Sequence, residues 1–275
     1  MFKTYVVRNL LLVATLFTSC KPVTPDNHMA LGTKYFIENN LDDAKTEFEQ
    51  SIKQHPGNAD AYYQLGAVYS YKGDFEKSIT YYTRSIEINP EFSMAYYVRA
   101  QMEELEGDYY SAIKDLEKAI AVKKNFYLAI LLKGRLEYSH AMYAMAVVDM
   151  TNATKLKPDY YLLYSWRGAC YSKLKNYTAS LSDHNMVIKF VPESAEAYMN
   201  RGVLYGEMQN YNAAIDDMNK AIKIDKNHTT AYLFKGYYEY ELNEKEDACN
   251  DFQKAAQLDT AQANPYIRKY CYPIP

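Results

Sequence analysis

Residues 59–92 read ADAYYQLGAVYSYKGDFEKSITYYTRSIEINPEF, and the pattern of this stretch recurs along most of the chain with a period of 34 residues. Prolines stand one period or a multiple of it apart, at Pro56, Pro90, Pro158 and Pro192. Glycines follow the same period one helix earlier, at Gly32, Gly66, Gly134, Gly168, Gly202 and Gly236, with Ala100 in the remaining place. A strict period of this length indicates one unit of two helices and two turns, copied head to tail.

Seven repeats begin at residues 25, 59, 93, 127, 161, 195 and 229, and each position within a repeat defines a column. Columns 4, 8 and 11 share one face of the first helix, and columns 20, 24 and 27 share one face of the second. Columns 8 and 20 are small, whereas columns 4 and 24 are mostly large. Glycine inside a helix costs about 1 kcal/mol relative to alanine, so its recurrence in column 8 predicts close helix packing. We therefore predict an all-α fold in which proline ends each second helix.

Two charged columns change together along the chain. Column 7 is leucine in repeats 1 and 2 and a cation in repeats 3 to 7, and column 23 becomes aspartate in the same five repeats. The predicted pairs within single repeats are Arg99–Asp115, Lys133–Asp149, Arg167–Asp183, Arg201–Asp217 and Lys235–Asp251. Pairing with the preceding repeat fits less well, because Arg99 would then meet Tyr81. We interpret these residues as part of the scaffold.

These columns resemble the tetratricopeptide repeat (TPR) family over residues 25–260, as seven repeats without insertion (25–58, 59–92, 93–126, 127–160, 161–194, 195–228 and 229–262). The resemblance implies an α-solenoid over residues 28–260, a right-handed superhelix with a concave groove lined mainly by first helices. Within residues 261–275, Asn264 and Pro265 predict the start of a capping helix at Asn264–Tyr272, laid over repeat 7.

The N-terminal residues indicate a targeting segment. Residues 1–19 combine a basic start with an apolar run that is too short to cross a bilayer. The end of this segment, Leu16–Cys20, resembles a bacterial lipobox, although Phe17 stands where that motif usually has leucine. The resemblance implies a signal peptide at residues 1–19, lipidation of Cys20 and a polar tether at residues 20–27. An ordinary secretory signal, cleaved nearby, is the alternative.

Three further cysteines remain. Cys170 and Cys249 fall in columns that face neighbouring helices, so buried, unreactive thiols are the favoured interpretation. A Cys249–Cys271 disulfide in an oxidising compartment is the alternative.

The motifs of catalytic and cofactor sites are absent from the sequence. The five histidines are scattered without metal-ligand spacing, the glycines follow the repeat instead of forming a phosphate loop, and no Gly-x-Ser-x-Gly sequence occurs. His184 lies in a core column, which favours a packing role. A net charge of −3 offers no basic stripe for nucleic acid. We expect no enzyme activity, no metal or other cofactor, no small-molecule substrate and no nucleic-acid partner.

The groove is the surface on which we expect function. In the TPR family, columns 2, 5, 6, 9, 12 and 13 tend to face the concave side. Here those columns supply Tyr63, Tyr71, Met94, Tyr97, Gln101, Leu131, Arg135, Tyr138, Trp166, Met199, Asn200, Leu233, Phe234, Tyr237 and Tyr240. Rigid aromatic rings of this kind suit the binding of an extended peptide or a partner helix. Packing between repeats is the alternative role for the same rings.

The combined interpretation is a non-catalytic adaptor, similar to bacterial TPR lipoproteins, that is lipid-anchored in the cell envelope and binds a protein or peptide partner. Lys21 stands after the anchor cysteine instead of aspartate, which favours the outer membrane over the inner. The residues of the chaperone-binding carboxylate clamp of some TPR domains are missing, so an acidic chaperone tail is not the expected partner. The alternatives are a structural subunit of an envelope assembly or secretion complex, and a soluble TPR scaffold.

Overall fold

The computed structural model describes residues 26–272, which form fifteen α-helices and no β-strand. The helices are α1 (Asn27–Ile37), α2 (Leu41–Gln54), α3 (Ala59–Lys72), α4 (Phe75–Ile88), α5 (Ser93–Glu106), α6 (Tyr109–Val122), α7 (Tyr127–Ser139), α8 (Tyr143–Leu156), α9 (Tyr161–Lys173), α10 (Tyr177–Phe190), α11 (Ala195–Glu207), α12 (Tyr211–Ile224), α13 (Thr229–Glu241), α14 (Lys245–Leu258) and α15 (Thr260–Tyr270). The predicted signal peptide, the lipidation site at Cys20 and most of the tether lie outside the described residues.

The predicted all-α repeat architecture is confirmed. In repeats 2 to 7 the first helix begins at the first residue of the predicted repeat, as α3 does at Ala59 and α13 at Thr229. In all seven repeats the second helix begins at column 17, from Leu41 in α2 to Lys245 in α14. The helices fall into two compact units, whose boundary in the sequence lies between Ala129 and Ile130. The N-terminal unit comprises residues 26–129 of the described range, and the C-terminal unit comprises residues 130–272.

The glycine column sets the distance between the two helices of a repeat. A Cβ atom added to Gly66 would lie 2.7 Å from the ring of Tyr82, and one added to Gly202 would lie 2.5 Å from Met218. The large side chain of column 24 therefore occupies the space that a side chain in column 8 would need. In repeat 2, Ser78 of column 20 also donates a hydrogen bond to the carbonyl of Gly66 at 2.9 Å. The predicted close packing is confirmed.

The five predicted cation–aspartate pairs are also confirmed. The nitrogen–oxygen distances are 2.6 Å for Arg99–Asp115, 2.7 Å for Lys133–Asp149, 2.7 Å for Arg167–Asp183, 2.7 Å for Arg201–Asp217 and 2.6 Å for Lys235–Asp251. Other contacts take their place where the columns differ. Repeat 1 pairs His28 with Glu47 at 2.6 Å, and repeat 2 stacks Tyr69 on Tyr81 with ring centroids 5.2 Å apart.

Both turns of the repeat are defined by backbone conformation. Each first helix is followed by a residue with positive φ in column 15: Asn39, Gly73, Gly107, Ala141, Lys175, Gln209 and Asn243. Each second helix of repeats 1 to 6 ends on a residue with φ between −124° and −139°. Repeats 3 and 6 carry Lys124 and Lys226 in place of proline, yet α6 and α12 end at the same column. Proline is therefore compatible with this turn but is not required to end the helix.

The final helix begins earlier than the sequence predicted. α15 starts at Thr260, because the carboxylate of Asp259 caps the helix by accepting a hydrogen bond from the backbone N–H of Gln262 at 3.1 Å. Asn264 and Pro265 consequently lie inside the helix, and the prediction that they start it was wrong. The prediction that this helix packs on repeat 7 is confirmed, since Tyr266 lies 5.5 Å from Phe252 of α14.

A disulfide joins α14 to the end of α15. Cys249 and Cys271 are bonded, with their Cα atoms 5.5 Å apart, so the favoured interpretation of Cys249 as a free thiol was wrong. The two residues lie close together only because α15 folds back over repeat 7. Cys170 is a buried free thiol, as predicted, and burial followed by the nearby Glu137 raises its pKa to about 12.

Candidate functional site

The predicted groove residues of the N-terminal unit are largely engaged in packing. Tyr63 is only 8% exposed, and its ring lies 5.5 Å from Tyr82 and 5.0 Å from Phe92. Tyr71 packs edge-on against Phe36 at 5.0 Å. The packing role that the sequence left open therefore applies to Tyr63.

Tyr97 and Gln101, on α5 of the same unit, are half-buried and contact each other. The Gln101 amide donates to the Tyr97 hydroxyl at 3.2 Å, and the Tyr97 ring lies 5.2 Å from Phe126. Met94, at the start of α5, is also half-buried. These residues present partial surfaces.

At the other end of the chain, α15 covers several predicted groove residues. The Tyr270 ring lies 4.7 Å from Tyr240 and 6.1 Å from Tyr237. Leu233 is buried, and Phe234 stacks on the neighbouring Tyr238 at 6.1 Å. Repeat 7 thus uses its groove-column aromatics mainly to hold the capping helix.

The C-terminal unit brings three predicted residues together around a cavity of about 330 Å³. Tyr138 comes from α7, Trp166 from α9 and Asn200 from α11, so three successive first helices contribute. The remaining lining residues are Ser165, Ala169, Ser172, Lys173, His184, Val203, Leu204 and Glu207. We call this cavity the Trp166 pocket. Leu131, Arg135 and Met199 are half-buried on α7 and α11 and are not among its lining residues.

Two aromatic rings form one wall of the Trp166 pocket. Tyr138 meets Trp166 edge-on with ring centroids 5.5 Å apart, and Tyr143 of α8 packs edge-on against Tyr138 at 5.3 Å. Burial, followed by the nearby Tyr143, Cys170 and Glu207, raises the pKa of the Tyr138 hydroxyl. Tyr138 is therefore a neutral donor or acceptor at pH 7, and its ring orientation is fixed by packing from two sides.

Polar groups surround the rest of the cavity. The Ser172 hydroxyl donates to the carboxylate of Glu207, which links α9 to α11. Lys173 lies on the exposed rim. His184 of α10 is 5% exposed, and burial followed by the charge of Arg201 lowers its pKa to about 4, so its imidazole is neutral at pH 7.

Sequence reasoning missed Ser172 and Glu207, although both stand in columns 12 and 13, which it had assigned to the groove. It had selected mainly aromatic residues from those columns, and no motif links a serine to a glutamate 35 residues later. His184 was predicted as a packing residue, and the structure does bury it, but one side of its ring also borders the cavity.

The described residues 26–272 contain no group of three or more His, Cys, Asp or Glu side chains placed to hold a metal ion. Within the same range, every helix is too short or too polar to span a membrane. What the Trp166 pocket offers is a pair of fixed rings and several hydrogen-bonding groups, an arrangement suited to holding part of a ligand.

Comparisons with known proteins agree with the helix-pair geometry. Family models described as tetratricopeptide repeat match residues 59–92, 95–126 and 195–228. No curated protein sequence matches the chain significantly.

Several solved structures share the fold. A tetratricopeptide repeat protein from Parabacteroides merdae is 17% identical with a TM-score of 0.69, and the alignment covers 90% of this chain and 98% of that one. YrrB, described as a TPR protein with an unusual peptide-binding site, is 22% identical with a TM-score of 0.59 over 67% of this chain and 95% of its own. PilF of Pseudomonas aeruginosa is 16% identical with a TM-score of 0.63 over 77% and 97%. At these identities the likeness concerns the fold alone. Taken with the column pattern and the packing of each helix pair, the matches show that this chain is a tetratricopeptide repeat protein.

Proposed function

We propose that this protein is a non-catalytic scaffold that binds a peptide or a helix of another protein, with the Trp166 pocket at the centre of the binding face. TPR proteins generally act as protein-interaction scaffolds. The observation that carries the proposal is the convergence of Tyr138, Trp166 and Asn200 from three successive first helices on one open cavity. Peptide binding by YrrB, a protein of the same fold, supports it.

The size and composition of the Trp166 pocket suit a side chain of a partner. Its volume of about 330 Å³ lies at the lower end of the range of ligand sites, roughly 300–1,000 Å³. Tryptophan and tyrosine dominate the binding energy of many interfaces, because they offer a large rigid surface with a polar edge. Asn200 and the serine hydroxyls add hydrogen-bonding groups that can satisfy the backbone or side chain of an extended ligand.

A random peptide library selected on the full chain tests this function. We expect enriched peptides that lose at least about tenfold in affinity when Trp166→Ala removes the largest contact surface. Tyr110→Ala is the matched control, because Tyr110 is an aromatic residue that is 84% exposed on α6 and lies outside the pocket. Failure to enrich any peptide, or equal loss of binding in both variants, would contradict the proposed binding face.

The location is a separate part of the proposal. We propose that the mature protein is lipid-anchored through Cys20 in a bacterial envelope, on the outer membrane in preference to the inner, after removal of a signal peptide at residues 1–19. The lipobox-like residues before Cys20 support an anchor. The Cys249–Cys271 disulfide supports an oxidising compartment, because such bonds are rare in reducing cytosol.

Metabolic labelling with palmitate tests the anchor. We expect label in the wild-type protein and none in Cys20→Ala, together with a shift of the variant from the membrane fraction to the soluble fraction. Equal labelling of the two proteins, or a soluble wild-type protein, would favour the unanchored scaffold instead.

A structural subunit is the second candidate, and one surface favours it. Met145 and Val148 on the outer side of α8 are 54% and 59% exposed. The other six repeats carry only polar residues or alanine in the same two columns. Apolar side chains left in water at one repeat alone suggest contact with another protein. If this surface is the functional one, Met145→Gln with Val148→Gln should disrupt an assembly that Trp166→Ala leaves intact.

A further inference from the structure

The charged groups of the Trp166 pocket are not paired with each other. Glu207 accepts a hydrogen bond from Ser172 but forms no salt bridge among residues 26–272, and the Lys173 ammonium on the same rim does not pair with it. By contrast, each of the five column-23 aspartates has a cation within 2.7 Å. Glu207 therefore leaves a carboxylate available for an incoming cation.

Among residues 26–272, no cation lies over the ring of Trp166 either. Elsewhere in the chain, arginine guanidinium groups lie over tyrosine rings: Arg99 is 5.8 Å from the centroid of Tyr96, and Arg167 is 5.4 Å from that of Tyr164. Tryptophan attracts cations more strongly than tyrosine does. Yet no lysine or arginine of the described part of the chain is placed over Trp166, whose ring borders the cavity instead.

The groups that face the cavity from the remaining helices do not oppose a positive charge. His184 is neutral at pH 7, and the Tyr138 hydroxyl keeps its proton. The Tyr138 hydroxyl, the side chains of Ser165 and Asn200 and the Glu207 carboxylate all provide acceptor oxygens. Lys173 is the one cation of the lining; it is exposed, as Glu207 is, so solvent and salt screen both charges.

We propose that the Trp166 pocket takes an arginine or lysine side chain of the bound polypeptide, with the cationic group over Trp166 and against the Glu207 carboxylate. The proposal rests on the proposed peptide-binding function and names the residue type that this face selects. The aliphatic stem of the side chain packs against Val203 and Leu204, and the Ser172 hydroxyl holds the carboxylate in position.

Trp166 itself provides the assay, because it is the only tryptophan of the chain. The probes are capped Gly-Gly-Xaa-Gly-Gly peptides, in which Xaa is arginine, citrulline, leucine or glutamate. Citrulline keeps the shape of arginine without its charge. We expect the arginine peptide to change the tryptophan emission at a concentration about tenfold lower than the citrulline peptide, and the difference to shrink at high salt.

Two variants locate the effect. Glu207→Gln should lower the affinity for the arginine peptide about tenfold, to that of the citrulline peptide, whereas Glu246→Gln, the matched control at an exposed glutamate of α14 outside the pocket, should leave the affinity unchanged. The proposal is overturned if the citrulline or glutamate peptide binds as tightly as the arginine peptide, if no peptide changes the emission, or if Glu207→Gln retains the preference. Peptide selection from the random library decides separately whether the face binds polypeptides at all.

Discussion

The guanidinium of Arg167 donates two hydrogen bonds to the carboxylate of Asp183, at 2.8 Å from Nε and 2.7 Å from Nη2. A third nitrogen, Nη1, donates to Thr154 of the preceding repeat at 3.1 Å. The pair therefore joins the two helices of repeat 5 and also ties that repeat to its neighbour.

Removal of one partner of this pair should be costly. Asp183→Ala leaves a mostly buried guanidinium without its counter-charge, and we expect the free energy of unfolding to fall by about 3 kcal/mol. Repeat 2 offers a natural replacement, with Leu65 and Tyr81 in the same two columns. The double variant Arg167→Leu with Asp183→Tyr should recover most of the loss in urea unfolding. A double variant less stable than Asp183→Ala would show that the pair has a role that apolar packing cannot replace.

Glu103 should make stability depend on pH. Its carboxyl is buried, and desolvation followed by the nearby Asp115 raises its pKa to about 7. Because the folded-state pKa is raised, the stability that the proton provides is fully present below the unfolded pKa and is lost as pH rises through about 7. Glu103→Gln cannot ionise, so the wild type should lose stability relative to this variant on the order of 1–3 kcal/mol between about pH 5 and pH 8. If urea unfolding gives the same difference in stability between the wild type and Glu103→Gln at pH 5 and at pH 8, the raised pKa of Glu103 is contradicted.

Replacing Ala141 with glycine should stabilise the protein. Ala141 has φ of +60°, it is exposed, and left-handed backbone costs an L-residue roughly 1–2 kcal/mol. We expect Ala141→Gly to raise the free energy of unfolding by about 0.5–1 kcal/mol, since part of the gain is offset by the flexibility of glycine in the unfolded chain. Gly107→Ala is the reciprocal control in the same column, where an added Cβ would meet nothing within 4 Å. Gly107→Ala should lower the free energy of unfolding by a similar amount. If neither variant changes the free energy of unfolding, the argument from backbone strain is refuted.

The Cys249–Cys271 disulfide should stabilise the capping helix. It closes a loop with a sequence separation of 22, for which chain entropy predicts about 3 kcal/mol. We expect Cys271→Ser to speed hydrogen exchange of α15 amides while leaving those of α11 and α12 unchanged. A reducing agent should reproduce this effect in the wild type and have no effect on the variant. Unchanged exchange in α15 would mean that packing on Phe252 is sufficient to hold the helix.

Much of the fold could be predicted from the sequence because the period acts on every repeat at once. In each repeat a small residue such as Gly66 faces a large one such as Tyr82, always in the same two columns. The pairing of Arg99 with Asp115 could be predicted because the two helices of every repeat keep the same spacing in the sequence. The capping helix has no second copy to compare with. Its start is set by the cap at Asp259, which lies before the Asn264–Pro265 pair that the sequence analysis took as the start.

The candidate site was only partly accessible to sequence reasoning. Tyr138 and Trp166 could be selected by residue type, and the structure places both at the cavity. Tyr63 is also an aromatic residue in a column assigned to the groove, but the neighbouring Phe92 and Tyr82 bury it. The contact between Ser172 and Glu207 depends on how closely the first helix of one repeat packs against that of the next. The column pattern of the sequence does not give this distance.

The position of α15 limits the length of any polypeptide that this end of the protein can hold. Because Tyr270 lies against Tyr237 and Tyr240, the surface beyond the Trp166 pocket is already taken by the chain itself. A polypeptide bound as we propose would have to stop or turn outward at repeat 6. If the Trp166 pocket binds a polypeptide, as we propose, this end of the protein fixes where the bound segment ends.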